Sequence, residues 1–217
     1  MYIEQARYNM VEQQIRPWDV LNQDVLDLLF KIHREDFVPD AHRALAFVDM
    51  EIPLGHGQAM WTPKLEARVI QELAIRPSDQ VLEIGTGSGY LTALLAMNAA
   101  KVVSVEIDPE FSAAAGHKLR AHGIENVALH VADAARDWPN DGEFDVIVLT
   151  GSTPLLSGAF RNRLRTGGRL FAITGNAPVM QAQLITCTAP GAFRSVTLFE
   201  TCVTELVNAP QPIAFVF

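Results

Sequence analysis

Residues 81–90 read Val-Leu-Glu-Ile-Gly-Thr-Gly-Ser-Gly-Tyr, a strand-forming run that meets three alternating glycines just before a helix-forming run. Glycines at such a junction let the backbone turn tightly and pass close to a ligand where a Cβ would clash. The helix that follows offers unpaired N–H groups at its start. The dinucleotide fingerprint spaces its glycines as G-x-G-x-x-G, whereas Gly85, Gly87 and Gly89 fall as G-x-G-x-G. The shorter spacing, preceded by Glu83, suits a nucleoside ligand without a pyrophosphate better than NAD. A P-loop would need Lys and then Ser or Thr after its last glycine, and Tyr90 and Leu91 stand there instead.

Around this turn, strands and helices alternate. Strands are expected at Val81–Ile84, Lys101–Ile107, Val127–Val131, Phe144–Leu149 and Arg169–Thr174. Helices are expected at Leu91–Asn98, Pro109–Ala121 and Leu155–Leu164. Apolar strands separated by helices of this length predict an α/β fold with a mostly parallel sheet covered on both faces. Upstream, Asn22 is placed to cap a helix whose apolar face is Val25, Leu26, Leu29 and Phe30. Residues 52–63, rich in proline and glycine, read as an ordered loop, followed by a helix from Lys64 to Ala74. Downstream, Gln183–Thr188 and Phe193–Phe199 read as an antiparallel hairpin about Ala189-Pro190-Gly191. Ile213–Phe217 reads as a last strand or a contact surface through which the chain could oligomerise. The expected organisation is a single domain, with a helical and loop extension (1–63), a ligand-binding core (64–175) and C-terminal strands (176–217).

Composition narrows the partners. The chain has 217 residues, 49% of them apolar, enough for a sizeable core. Its net charge of -8 argues against a nucleic-acid groove, which shows as a basic patch or stripe. Cys187 and Cys202 are the only cysteines and read as free thiols of a reducing compartment. Neither they nor the histidines suggest a metal site. The first residues lack a signal-peptide pattern and no apolar run is long enough to span a membrane, so a cytoplasmic location is expected.

In an open α/β sheet, ligands bind beyond the carboxyl ends of the strands. Glu83, Glu106 and Asp133 lie at or near three such ends. Glu106 follows Gly89 at about the separation expected of an acid that accepts hydrogen bonds from ribose hydroxyls. Asp133 is placed for an amino group or an adenine edge. Thr86 and Ser88 direct hydroxyls and N–H groups to the same place, while Tyr90 reads as packing for the first helix and Asp145 as a turn or cap residue. Acids and hydroxyls without a nearby Lys or Arg suit a cationic sulfonium ligand.

With these residues assembled, the chain resembles class I S-adenosylmethionine-dependent methyltransferases, specifically the protein-L-isoaspartate O-methyltransferases. Arg34-Glu-Asp-Phe-Val-Pro39, Ile52-Pro-Leu-Gly-His-Gly-Gln58, Val81–Tyr90, Ser104-Val-Glu106 and Phe144-Asp-Val-Ile-Val148 carry the resemblance. It implies a Rossmann-like fold, S-adenosylmethionine as cofactor with S-adenosylhomocysteine as product, and methyl transfer to carboxylates of L-isoaspartyl residues in damaged proteins. By position, Gln58, Ala59, Met60 and Trp61 border the methionine end of the cofactor. Gly85, Gly87, Ser88, Glu106, Asp133 and Ala134 hold the rest, with Glu83, Thr86 and Ile107 beside them.

One stretch departs from the family. Its usual Thr-Ile-Ser-x-Pro is Ala59-Met60-Trp61-Thr62-Pro63 here, so an indole stands where the active-site serine is expected. A carboxylate is already a nucleophile at neutral pH, so this transfer needs geometry and exclusion of water more than a base. Thr62 could supply the missing hydroxyl. Trp61 fills the acceptor pocket, stacks near the sulfonium or packs beneath the loop. Three readings follow: isoaspartyl repair, a related enzyme for a small-molecule acceptor, or a weakly catalytic cofactor-binding protein. An NAD-dependent reductase is disfavoured by the glycine spacing.

Overall fold

The computed structural model describes residues 2–138 and 142–212, so the expectation for 213–217 lies outside the described residues. The chain opens with α1 (Tyr2–Met10), a π-helical turn at Val11–Ile15 and α2 (Gln23–Lys31). Asn22 caps α2 as expected, its side chain accepting from the Asp24 N–H at 2.9 Å. The stretch expected to be a loop is instead a small hairpin, β1 (Ile52–Gly55) and β2 (Gln58–Met60), with Ile52 opposite Met60. Positive φ at Gly55, His56 and Gly57 reverses the chain tightly enough for the two short arms to pair. Then come α3 (Pro63–Leu73), β3 (Gln80–Ile84), α4 (Tyr90–Asn98), β4 (Lys101–Glu106), α5 (Pro109–Ala121) and β5 (Val127–Val131). The remainder is β6 (Phe144–Thr153), α6 (Gly158–Asn162), β7 (Leu164–Asn176), β8 (Val179–Ala189) and β9 (Ala192–Thr201).

Seven strands form one sheet in the order β5-β4-β3-β6-β7-β8-β9. The first five run parallel, β8 pairs antiparallel with β7, and β9 antiparallel with β8. Strand order reverses at β3 and β6, which are neighbours, and their carboxyl ends mark the ligand crevice. The helix expected at 155–164 is much shorter. Ser157 starts it, accepting from the Ala159 N–H at 3.3 Å, and Leu164 already pairs with Phe144 in the sheet. Asp145 does more than cap a turn: its Oδ2 accepts from the Gln80 N–H at 2.8 Å and Arg165 Nη1 at 2.7 Å.

Two apolar clusters flank the sheet. One gathers α2, α3 and α4 with the N-terminal segment, and the other gathers Phe160, Leu164 and Phe144. Tyr90 is buried in the cluster that also holds sheet residues, and it packs on the N-terminal extension as well: its ring lies 5.5 Å from Phe37 and 5.3 Å from the Arg34 guanidinium. The extension is thereby bound to the first helix after the glycine turn.

Within β3, Glu83 is fully buried. Its Oε2 accepts from Thr92 and Ser104, each at 2.6 Å, while its Oε1 has no partner among the described residues. Burial pushes the carboxyl up to about 8, against the hydrogen bonds from Ser104 and Thr92 that lower it. The folded chain therefore keeps a proton that the unfolded chain releases above its ordinary 4.5, and this group's contribution to stability falls as pH rises through that window. Glu83→Gln is expected to lose less stability than the wild type between pH 5 and 8, by on the order of 2 kcal/mol, in urea unfolding. Parallel losses in the two proteins would show that Glu83 is not held protonated.

Candidate active site

The cleft is built at the ends of four parallel strands. After β3 the chain turns through Gly85, Gly87 and Gly89, all at positive φ. A Cβ on Gly85 would come within 2.2 Å of Thr150 Oγ1, and one on Gly89 within 2.9 Å of the Ala115 Cβ. The first close approach lets Thr150, just past the part of β6 that pairs with β3, donate to the Gly85 carbonyl at 2.6 Å. The second lets α4 start against α5. Glu106 closes β4 and faces back to the turn, its Oε2 accepting from the Gly87 N–H at 2.8 Å and its Oε1 from the Asp108 N–H at 3.0 Å. Asp133, beyond β5, accepts from the Ala135 N–H at 3.1 Å and from Asn208 Nδ2 at 2.8 Å.

The cleft has two adjoining lobes that share Leu54, Ala59, Gly85, Gly87 and Thr150. Gln58, Glu106, Ile107, Asp133 and Ala134 line the outer lobe, and Met60, Trp61, Thr86 and Ser88 line the inner one. Among the described residues no lysine or arginine lines either lobe. Two of the expected residues are not brought to it. Glu83 lies behind the turn, in the network described above. Thr62 gives its hydroxyl to the start of α3 as its N-cap, accepting at 3.4 Å from the Leu65 N–H, which also donates to the Thr62 carbonyl at 3.1 Å. Trp61 packs beneath the loop and borders the cleft. It is buried, edge-on to Phe171 at 6.3 Å, and also forms a wall of the inner lobe.

Several lining residues escaped the sequence reading. Thr150 and Gly151 directly follow the apolar run of β6, so their place at a strand end next to the turn was available as a signal. Leu206 had no such signal. It reaches the outer lobe because the segment after β9 folds back, with Ser152 donating its N–H to the Thr204 carbonyl and accepting from the Leu206 N–H. Gly151 makes room, since a Cβ there would lie 2.9 Å from Leu206.

The β1–β2 hairpin leans over the outer lobe. His56 at its tip hydrogen-bonds Asp108, the cap of α5, and stacks on Phe111 at 5.4 Å. The carboxylate draws the imidazole above its ordinary value, and the imidazole draws Asp108 below its own. His56, Asp108 and Glu110 bring one potential ligand atom each within 4.8 Å of one another, a grouping the sequence reading missed because the histidine lies far along the chain from the two acids. Two of the three are exposed, and the His56–Asp108 contact already serves as a clasp between hairpin and helix.

Comparison with known proteins follows the same outline. A family profile described as protein-L-isoaspartate(D-aspartate) O-methyltransferase matches residues 5–197. A protein-L-isoaspartate O-methyltransferase of Methanoculleus marisnigri is 40% identical over 169 residues, covering 78% of this chain and 77% of that protein. One of Gloeobacter violaceus is 36% identical over 182 residues, covering 84% and 89%. In fold, the chain matches a Plasmodium falciparum structure described as a putative protein-L-isoaspartate O-methyltransferase in complex with S-adenosyl-L-homocysteine. The TM-score is 0.76 at 19% identity, over 91% of this chain and 96% of that one. Among the described residues, no helix is long and apolar enough to cross a membrane. Matched along most of its length in sequence and in fold, the chain belongs to the protein-L-isoaspartate(D-aspartate) O-methyltransferase family.

Proposed function

We propose that this protein transfers a methyl group from S-adenosylmethionine to the carboxylate of L-isoaspartyl residues in damaged proteins. The observation that carries the reading is the pairing of Glu106 with the Gly87 N–H inside a cleft lined by acids and free of lysine and arginine among the described residues. The residues fit such a cofactor. Gly87 leaves the turn open, since a Cβ there would meet only Leu54, at 3.3 Å. The Glu106 carboxylate is 6% exposed and has both oxygens at the strand end, where vicinal hydroxyls can exchange with the N–H donors it now uses. Asp133, steadied by Asn208, suits an amino group. Ile107, Ala132, Ala134 and Leu206 give the outer lobe apolar walls for a flat base. Acidic lining without lysine or arginine favours a cation over a phosphate.

When bound, the cofactor supplies an activated methyl group, which passes from its sulfonium to an acceptor carboxylate oxygen and leaves the thioether. The chain's own residues hold both partners. The glycine turn and Thr150 form the floor between the two lobes, Leu54 and the hairpin cover it, and Leu206 closes the outer end. Together they exclude water and align the reacting groups, a contribution that dominates when the nucleophile is already ionised. With labelled S-adenosylmethionine, the wild type is expected to place base-labile label on an L-isoaspartyl peptide and not on its L-aspartyl twin. Glu106→Ala is expected to abolish that transfer and to weaken S-adenosylhomocysteine binding by about a hundredfold. Transfer to neither peptide despite tight cofactor binding would overturn the acceptor.

A second reading, a related enzyme for another acceptor, is favoured by Trp61, which lines the inner lobe where a smaller residue would leave more room. If the indole narrows the acceptor site, Trp61→Ser leaves cofactor affinity unchanged and raises isoaspartyl transfer several-fold. Unchanged turnover would mean that the indole only packs.

A further inference from the structure

The inner lobe contains a charged group that neither the strand ends nor the glycine turn supplies. Glu66, in the first turn of α3, is 2% exposed and lines this lobe beside Trp61, Ser88 and Leu91. It is the only ionisable side chain among the described residues lining it. One carboxylate oxygen, Oε2, pairs with Arg34 Nη1. Arg34 is otherwise committed, its Nε donating to the Ala46 carbonyl at 3.0 Å and its Nη2 to the Trp61 carbonyl at 2.6 Å. Among the described residues the other carboxylate oxygen, Oε1, accepts no hydrogen bond, although the side chain is almost wholly withdrawn from bulk water.

Among the described residues Oε1 is not one of the fully buried unpartnered oxygens, and Glu66 lines the lobe, so this oxygen is reached from the lobe and open to a donor there. Burial pushes the Glu66 carboxyl up and the Arg34 guanidinium pulls it back, so an added cation would tip it towards the ionised form. The lobe adjoins the glycine turn on the side of Ser88 and the α4 N-terminus, opposite Asp133 and Leu206. A cofactor with its adenosyl part in the outer lobe would carry its other end here. That end is an amino acid, with one ammonium and one carboxylate. The Ser88 hydroxyl and the start of α4 suit the anionic half, and Glu66, the only ionisable side chain among the described residues lining this lobe, suits the cationic half.

We propose that Glu66 binds the α-ammonium of the cofactor's amino-acid tail, with Arg34 as the positioning residue that fixes its carboxylate. The proposal rests on the cofactor reading above. It makes the inner lobe selective for a free amine on the cofactor, and it couples the N-terminal extension to cofactor affinity through the Arg34–Glu66 pair.

Three ligands test it by titration calorimetry: S-adenosylhomocysteine, its deamino analogue, which keeps the carboxylate, and 5′-methylthioadenosine, which lacks the whole tail. The wild type is expected to prefer S-adenosylhomocysteine to the deamino analogue by about tenfold or more, the scale of a charge-assisted hydrogen bond. In Glu66→Gln that preference should fall below about threefold, with 5′-methylthioadenosine binding unchanged. Because this substitution leaves the Arg34 guanidinium facing a neutral amide, the double variant Arg34→Met, Glu66→Gln removes both charges and is expected to lose the same preference. A wild type that does not distinguish the amine, or variants that keep the full preference, would overturn the assignment. Equal loss for all three ligands in both variants would also overturn it, by giving Glu66 a purely structural role. A wild type that binds none of the three would instead bring down the cofactor reading itself, and the proposal with it.

Discussion

The molecule depends on one tight backbone reversal, at Gly85–Gly89, and on the carboxylate that meets it. Without positive φ at Gly85 the β3 carbonyls could not meet the Thr150 hydroxyl, and without it at Gly89 α4 could not start against α5. Glu106 then spans from the end of β4 to the Gly87 N–H in the turn after β3, joining the ends of two neighbouring strands beside the crevice. Three separate parts of the chain thereby reach one point by hydrogen bonds and close contacts that a side chain at either glycine would block. The parallel sheet supplies the frame, but the turn sets where the frame opens.

The rest of the fold encloses that opening. From one side comes the β1–β2 hairpin, held over the outer lobe by His56 on Asp108. Beneath it, Arg34 gathers the Ala46 and Trp61 carbonyls and the Glu66 carboxylate, so the N-terminal extension works as a strut for the loop that carries Trp61. From the other side the segment after β9 returns, pairing with Ser152 and holding Asp133 through Asn208. Trp61 is rigid in this setting, packed on Phe171 and anchored through its own carbonyl.

Local chemistry was legible where it follows from a short stretch of sequence. The strand–glycine–helix junction, the Asn22 cap and the positions of Glu106 and Asp133 rest on period, capping and spacing. Glu83 misled because a strand end has two sides: only the structure shows that its side chain turns to Thr92 and Ser104, away from the cleft. Thr62 misled for a related reason, since a hydroxyl before a proline-led helix has a nearer partner in the helix's own N–H. The hairpin at 52–60 has arms of only 4 and 3 residues, too short for alternation to register. Leu206, Arg34 and Glu66 reach the site through contacts between distant parts of the chain, and no local pattern records such contacts. The α6 helix was overextended because apolar residues at 155–164 serve the sheet and the second apolar cluster as much as a helix face.

The central claim is that Glu106 and the glycine turn hold an adenosyl cofactor between them. A crystal structure with S-adenosylhomocysteine tests it most directly. Ribose hydroxyls are expected within hydrogen-bond distance of both Glu106 oxygens, the base between Ile107 and Leu206, and the amino-acid tail running past Gly87 towards Trp61. A ligand seated elsewhere, or one whose ribose leaves Glu106 bonded only to the Gly87 and Asp108 N–H groups, would contradict it.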